Sequence, residues 1–235
     1  MNRLTEAIWM MEPSGPTDRP VLALVRGARR SLMIDGGNCP DHAGAFIREL
    51  SEAGLAEPDY VATTHSHCDH VFGLSALGGL VLSNSLTRQR IEELNRLGWN
   101  DAEVAERVRA GQEHEMTLAM LREEMPGDRT GFTIRRPDIV YDSRLEVSLG
   151  GLACCLEKIG GNHTPDSTVV HIPREGVVFI GDCLYLRSFE RSSVDALFGK
   201  LLGFGAELYV DSHESEPMTR AQLEDRYTSA VESCG

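Results

Sequence analysis

Thr64-His65-Ser66-His67-Cys68-Asp69-His70 constrains this chain more than any other stretch. It follows Asp59–Thr64, a compact apolar run that reads as a buried strand. Four potential metal ligands, His65, His67, Asp69 and His70, therefore lie within six residues of a strand end. Side chains at i and i+2 of an extended turn can converge on one ion. His65 and His67 meet that condition. Asp69 and His70 open the next turn and can face a second ion nearby. Imidazole together with carboxylate suits zinc, and also manganese or iron. An exposed polar loop that gathers these residues by chance is the poorer reading of such a spacing.

The surrounding sequence has the periodicity of an α/β chain. Leu4–Met11, Val21–Arg26 and Ser31–Ile34 are short apolar runs divided by turn-forming residues. Asp41 is placed to cap a helix from about Ala43 to Ala53, with Phe46, Ile47 and Leu50 at helical spacing. From about Leu86 to Met125 the sequence is rich in Glu, Arg, Ala, Leu and Met and reads as two or three helices. These helices form either a lid over the histidine cluster or an amphipathic hairpin that only packs. Strand patterns return at Ile139–Tyr141, Leu145–Leu149, Leu152–Ile159, Thr168–Ile172 and Val177–Ile180. A helix near Val194–Leu202, a strand at Leu208–Val210 and a helix capped by Thr219 and Gln222 complete the pattern. Two similar halves, each of strands followed by helix, fit two sheets flanked by helices in a single domain over 1–235.

Charge narrows the choice of partners. Lys and Arg number 23 against 36 Asp and Glu, a formal charge of −13, and no long basic run offsets it. Such a surface repels phosphate backbones, so a nucleic-acid partner is not expected. Met1 to Gly15 does not read as an export signal, and no window approaches the ~18 apolar residues of a membrane span. Six cysteines without a regular framework read as free thiols of a cytoplasmic protein. The sequence carries no signal of oligomeric state.

His65, His67, Asp69 and His70 match in full the HxHxDH signature of the metallo-β-lactamase superfamily, and the chain resembles that family from Asp35 to His213. Asp35-Gly36-Gly37 is similar to the first family motif, whose aspartate supports the metal loop by hydrogen bonding. Gly161 to Ser167 resembles the third, which makes His163 a ligand of the first ion. Gly181-Asp182 looks like the fourth, with Asp182 bridging two ions, and Ser212-His213 like the fifth. The resemblance implies a four-layer αβ/βα sandwich, with the 86–125 helices as an insertion. It also implies two divalent ions, zinc first and manganese or iron as alternatives. His65, His67 and His163 would hold one, and Asp69, His70, Asp182 and His213 the other. Of the remaining candidates, His42 and His114 read as surface residues and His171 as a packed strand side chain. Cys68 and Cys183 read as neighbours of the ligands.

The family chemistry is hydrolysis by a hydroxide shared between the ions. Asp69 is the residue placed to accept a proton during attack. A small carbonyl substrate is expected: an ester, a lactone or a related amide or thioester. In many zinc β-lactamases a lysine three residues after the second-site cysteine binds the substrate carboxylate. Tyr185 stands at the equivalent position here, with Arg187 near enough to substitute, and the Tyr185–Phe189 segment is expected to line the pocket. Zinc β-lactamase is one alternative, which the replacement of that lysine disfavours. A mononuclear iron oxidoreductase such as a persulfide dioxygenase is a second, and a non-catalytic metal-binding member a third.

Overall fold

A computed structural model describes residues 1–186 and 190–234. The N-terminal half contains β1 (Asn2–Arg3), β2 (Ile8–Met11), β3 (Leu22–Arg26), β4 (Ser31–Ile34), α1 (Pro40–Glu52), β5 (Tyr60–Ala62) and α2 (Cys68–Val71). It continues with β6 (Leu80–Asn84), α3 (Ser85–Leu94), α4 (Asp101–Arg109), α5 (Glu115–Glu124) and β7 (Ile139–Tyr141). Its sheet runs in sequence order, antiparallel from β1 to β4 and parallel from β4 to β7. The C-terminal half contains β8 (Arg144–Ser148), β9 (Ala153–Lys158), β10 (Thr168–Ile172), β11 (Val177–Gly181), α6 (Arg191–Gly203), β12 (Leu208–Asp211), β13 (Met218–Thr219) and α7 (Arg220–Glu232). The second sheet has the order β13-β12-β11-β10-β9-β8, and β11 and β12 are its parallel pair.

Strand alternation explains the layering. Leu32 and Ile34 of β4 face the second sheet and pack with Val170, Phe179 and Val210. Met33 between them faces the other way, against Phe46 and Leu50 of α1. The strand is apolar on both faces because both faces are covered, as parallel strands require. On the far side, Val178 and Tyr209 turn outward against Phe198 and Leu201 of α6 and Leu223 of α7. The result is the helix–sheet–sheet–helix sandwich expected from the sequence.

Three details differ from the sequence reading. Cys39, not Asp41, caps α1: its sulfur accepts from the His42 N–H, and Pro40 takes the first helical position. That register turns His42 inward, so it is fully buried rather than a surface residue. The third is β6, a strand that the pattern of apolar residues did not reveal. Its last residues, Ser83 and Asn84, are polar yet fully buried. Asn84 accepts from the N–H groups of Leu86 and Thr87, capping α3, and donates across the sandwich to the Asp166 carbonyl at 2.7 Å. His114 is exposed, as expected, at the start of α5, and His171 packs edge-on to Phe204.

Candidate metal centre

Parallel strands deliver the candidate ligands. β4 leads directly to Asp35, β5 runs into the His65–His70 loop, β11 leads directly to Asp182 and β12 leads to His213. These are all carboxyl ends, where turns leaving parallel strands face one crevice. His163 arrives on the loop from β9 to β10. That loop is held by Thr87, whose hydroxyl donates to Asp166 Oδ2 at 2.9 Å, and by the Thr168 N–H donating to the Thr64 carbonyl at 2.7 Å. Gly181, at φ 55°, lets the backbone pass close to Thr64, where a Cβ would sit 3.1 Å from the threonine Cβ.

All seven expected ligands converge in two groups that could each hold a metal ion. His65, His67, His163 and Asp182 form one, and Asp69, His70, Asp182 and His213 the other. Asp182 belongs to both. In the first group His163 Nε2 lies 3.0 Å from His67 Nδ1 and 3.5 Å from Asp182 Oδ2, with His65 Nε2 3.8 Å from that oxygen. In the second, His70 Nε2 is 2.9 Å from Asp69 Oδ2 and 3.3 Å from Asp182 Oδ1. His213 Nε2 is 3.2 Å from Asp69 Oδ2 and 3.4 Å from Asp182 Oδ2. Cys68 packs toward the α1 side and Cys183 toward α6, so neither sulfur belongs to a donor group.

Three donors fit a cation better than they fit the protein alone. His65 Nε2 is buried without a hydrogen-bond partner, and His70 Nε2 and Asp182 Oδ1, though 3.3 Å apart, are not joined by a well-aligned hydrogen bond. Leaving such an atom unsatisfied costs about 1–3 kcal/mol, which coordination to a cation would offset. Protonation agrees with this. Burial holds the His65 ring well below its ordinary pKa and lowers His163 to about 4, so both offer neutral nitrogens. Burial also opposes charge on Asp69 and Asp182, but His70 and His213 outweigh it and keep both carboxyls well below the usual range. Burial works against protons on the His70 and His213 rings too. The facing carboxylates prevail, raising His70 well above its usual value and His213 to about 10. Cationic rings thus stand where a divalent ion would place its charge.

Asp35 joins the loop to the sheet. One oxygen accepts from the Thr64 N–H at 2.7 Å, and the other lies 2.8 Å from His70 Nδ1. Gly36 N–H donates to the His70 carbonyl at 2.8 Å, fixing the far end of the same loop. Tyr185 is 47% exposed, within ring contact of His163 and His213. It lines a cavity of about 460 Å³ with His163, Leu184, Leu186, Asp211, Glu214 and Arg226. Arg187 and most of the Tyr185–Phe189 segment lie outside the described residues. Sequence reasoning did not find Asp211, which lines the cavity and accepts from the His213 N–H at 3.0 Å. Its place two residues before His213 was the available signal. Arg226 and Glu214 gave none.

The family model described as the metallo-beta-lactamase superfamily matches residues 22–227. The chain belongs to the metallo-β-lactamase superfamily. Solved structures agree on the fold. A metallo-beta-lactamase from Pontibacter korlensis is 16% identical, with 98% of this chain and 97% of that one covered at a TM-score of 0.66. A metallo-beta-lactamase family protein from Thermus thermophilus is 19% identical, with coverages of 98% and 80% and a TM-score of 0.67. A double mutant of the sec-alkyl sulfatase PisA1 is 14% identical, with coverages of 97% and 41% and a TM-score of 0.69. No curated protein matches the sequence. At these identities the likeness extends to the fold and not to the substrate.

Proposed function

We propose that this superfamily member is a dinuclear metal-dependent hydrolase of small carbonyl compounds, an ester or lactone first, with zinc as the metal. The observation that carries the reading is the pair of donor groups sharing Asp182. His65, His67 and His163 would hold one ion, Asp69, His70 and His213 the other, and Asp182 would touch both. Ions bound there supply Lewis acidity and acidify water.

The residues around that centre fit the remaining tasks. Asp69 is the carboxylate in reach for accepting a proton. Burial and nearby carboxylates push the Tyr185 phenol up to about 12, so it stays a neutral donor at ordinary pH. From the cavity wall it can donate to a substrate carbonyl or leaving oxygen. Leu184 and Leu186 supply apolar contact and Arg226 a cation for the rest of a small molecule. Among the described residues no helix is long and apolar enough to cross a membrane. All six cysteines are free, and free thiols fit a reducing cytoplasm.

Elemental analysis of the protein purified without added metal or chelator is the first test. Close to two zinc per chain, with turnover in a panel of esters, lactones and β-lactams, is the expected result. His67→Ala and Asp182→Ala should each lower metal content and abolish turnover. Full activity in either variant, or a single iron with no hydrolysis, would defeat the proposal.

A further inference from the structure

Among the described residues, only Asp18 and Asp35 combine a side chain with a positive φ, 54° and 61°. Each faces a histidine of the same donor group. Asp35 lies against His70 Nδ1, and Asp18 Oδ1 lies 3.7 Å from His213 Nδ1. In both rings Nε2 points to Asp69 and Asp182 while Nδ1 points to the outer carboxylate. Aspartate tolerates the left-handed region better than most residues, but the conformation still costs energy unless the surroundings fix it.

The surroundings do fix it. Ser14 and Arg19 exchange backbone hydrogen bonds of 2.9 and 3.0 Å across the turn, and Asn38 donates to the Thr17 carbonyl at 2.7 Å. Val21 N–H donates at 2.7 Å to the Ser212 carbonyl, so the segment after Asp18 is joined to the residue before His213. From the other side, Arg19 forms a two-pronged ion pair with Glu124, at 2.7 and 2.6 Å, and Glu124 is the last residue of α5. One end of the helical insertion therefore clamps the turn that carries Asp18.

We propose that Asp18 is a positioning residue for His213, held in place by the Arg19–Glu124 clamp, and that it sets the affinity of the second ion. A carboxylate behind a ligating imidazole makes the ring a better donor to a cation. At 3.7 Å Asp18 acts through charge rather than a direct hydrogen bond. The inference rests on the two-ion reading of the site.

Stepwise zinc affinities of the metal-free protein, measured against a chromophoric chelator, test it. D18N keeps a residue that accepts the left-handed backbone and removes only the charge. It should weaken the second ion about 10-fold, as loss of such outer partners does, and leave the first within about twofold. E124Q should act in the same direction by a smaller factor. E214Q removes a neighbouring charge whose carboxylate faces Arg226, and so calibrates a bare field effect. An equal fall in E214Q and D18N, or an equal loss of both ions in D18N, overturns the proposal. So does a wild-type second affinity in D18N. Unfolding of the metal-free variants should match wild type for D18N. If D18N unfolds more readily and loses both ions in parallel, the role is structural and the inference fails. Wild-type protein that takes up only one ion overturns the two-ion reading itself. Two ions with an unaffected D18N overturn this inference alone.

Discussion

Asp35 divides its carboxylate between the Thr64 backbone, the Thr64 hydroxyl and His70 Nδ1, and does so fully buried from a left-handed backbone. Any side chain other than aspartate or asparagine would meet both a conformational penalty and an unsatisfied loop. Asp35→Asn isolates the charge, because asparagine adopts the same backbone and keeps one accepting oxygen. Its amide cannot match a carboxylate behind His70. Loss of such a partner lowers metal affinity about 10–100-fold. Chelator competition on D35N should show that fall; unchanged affinity would mean His70 needs no carboxylate to orient it. The same scale separates what sequence could show. Five short motifs read directly as a candidate site, because each places its polar residues within a few positions of a strand end. Asp18 gave no such signal, since only the folded turn brings it to His213 from the opposite end of the chain.

At the scale of elements, the insertion is built around one buried cation. Arg129 is 6% exposed and donates to the carbonyls of Trp99 and Leu121, while also pairing with Asp101 at the start of α4. It thus joins the loop before α4 to α5, the helix that ends in Glu124. Arg129→Met removes the donors and leaves the Trp99 carbonyl without its partner, while the Leu121 carbonyl keeps the Met125 N–H. That should destabilise by about 2–3 kcal/mol, lowering the melting temperature by roughly 5–10 °C for a chain of this size. A melting temperature within about 1 °C of wild type would show these carbonyls find other partners. The insertion was legible as helices because Glu, Arg, Ala and Leu favour them there. Arg129 as its anchor was not, since a lone arginine in a charged stretch reads as solvated. β6 escaped for a related reason. Ser83 and Asn84 look like loop residues until the fold pairs them: the Ser83 hydroxyl donates to the Asn84 carbonyl, and the Asn84 amide donates to the Asp166 carbonyl and the Thr168 hydroxyl beside the second sheet. His42 escaped because moving the cap from Asp41 to Cys39 changes which face of α1 it occupies.

Over the whole molecule these groups set opposing dependences of stability on pH. Burial, with Arg19 nearby, holds the His42 ring down to about 3, and burial lowers His163 to about 4. Unfolded, both titrate at about 6.5. Between that value and their folded values the unfolded chain binds more protons, so stability falls as pH drops through this window. Glu124 adds to the same limb lower down. Burial would raise its carboxyl, but hydrogen bonds from Arg19 and Thr17 bring it to about 2, so its contribution is lost between about 4.5 and 2. His213 works in the opposite sense. Raised to about 10 in the ion-free centre, it stabilises fully below 6.5 and loses that contribution as pH rises toward 10. His70, also raised, adds to this alkaline limb. The metal-free protein should therefore be most stable near pH 6–7 and weaken on both sides. Divalent ions replace the protons held between those rings and carboxylates, and an ion bound only by the folded state stabilises it by mass action. Melting temperatures measured from pH 4 to 10 should show a peak with chelator present. Excess zinc should lift the alkaline limb far more than the acidic one, where protons compete with the metal for His70, His213 and their facing aspartates. An equal rise at both ends, or no rise at all, would mean that these carboxylates and rings do not share one cation site.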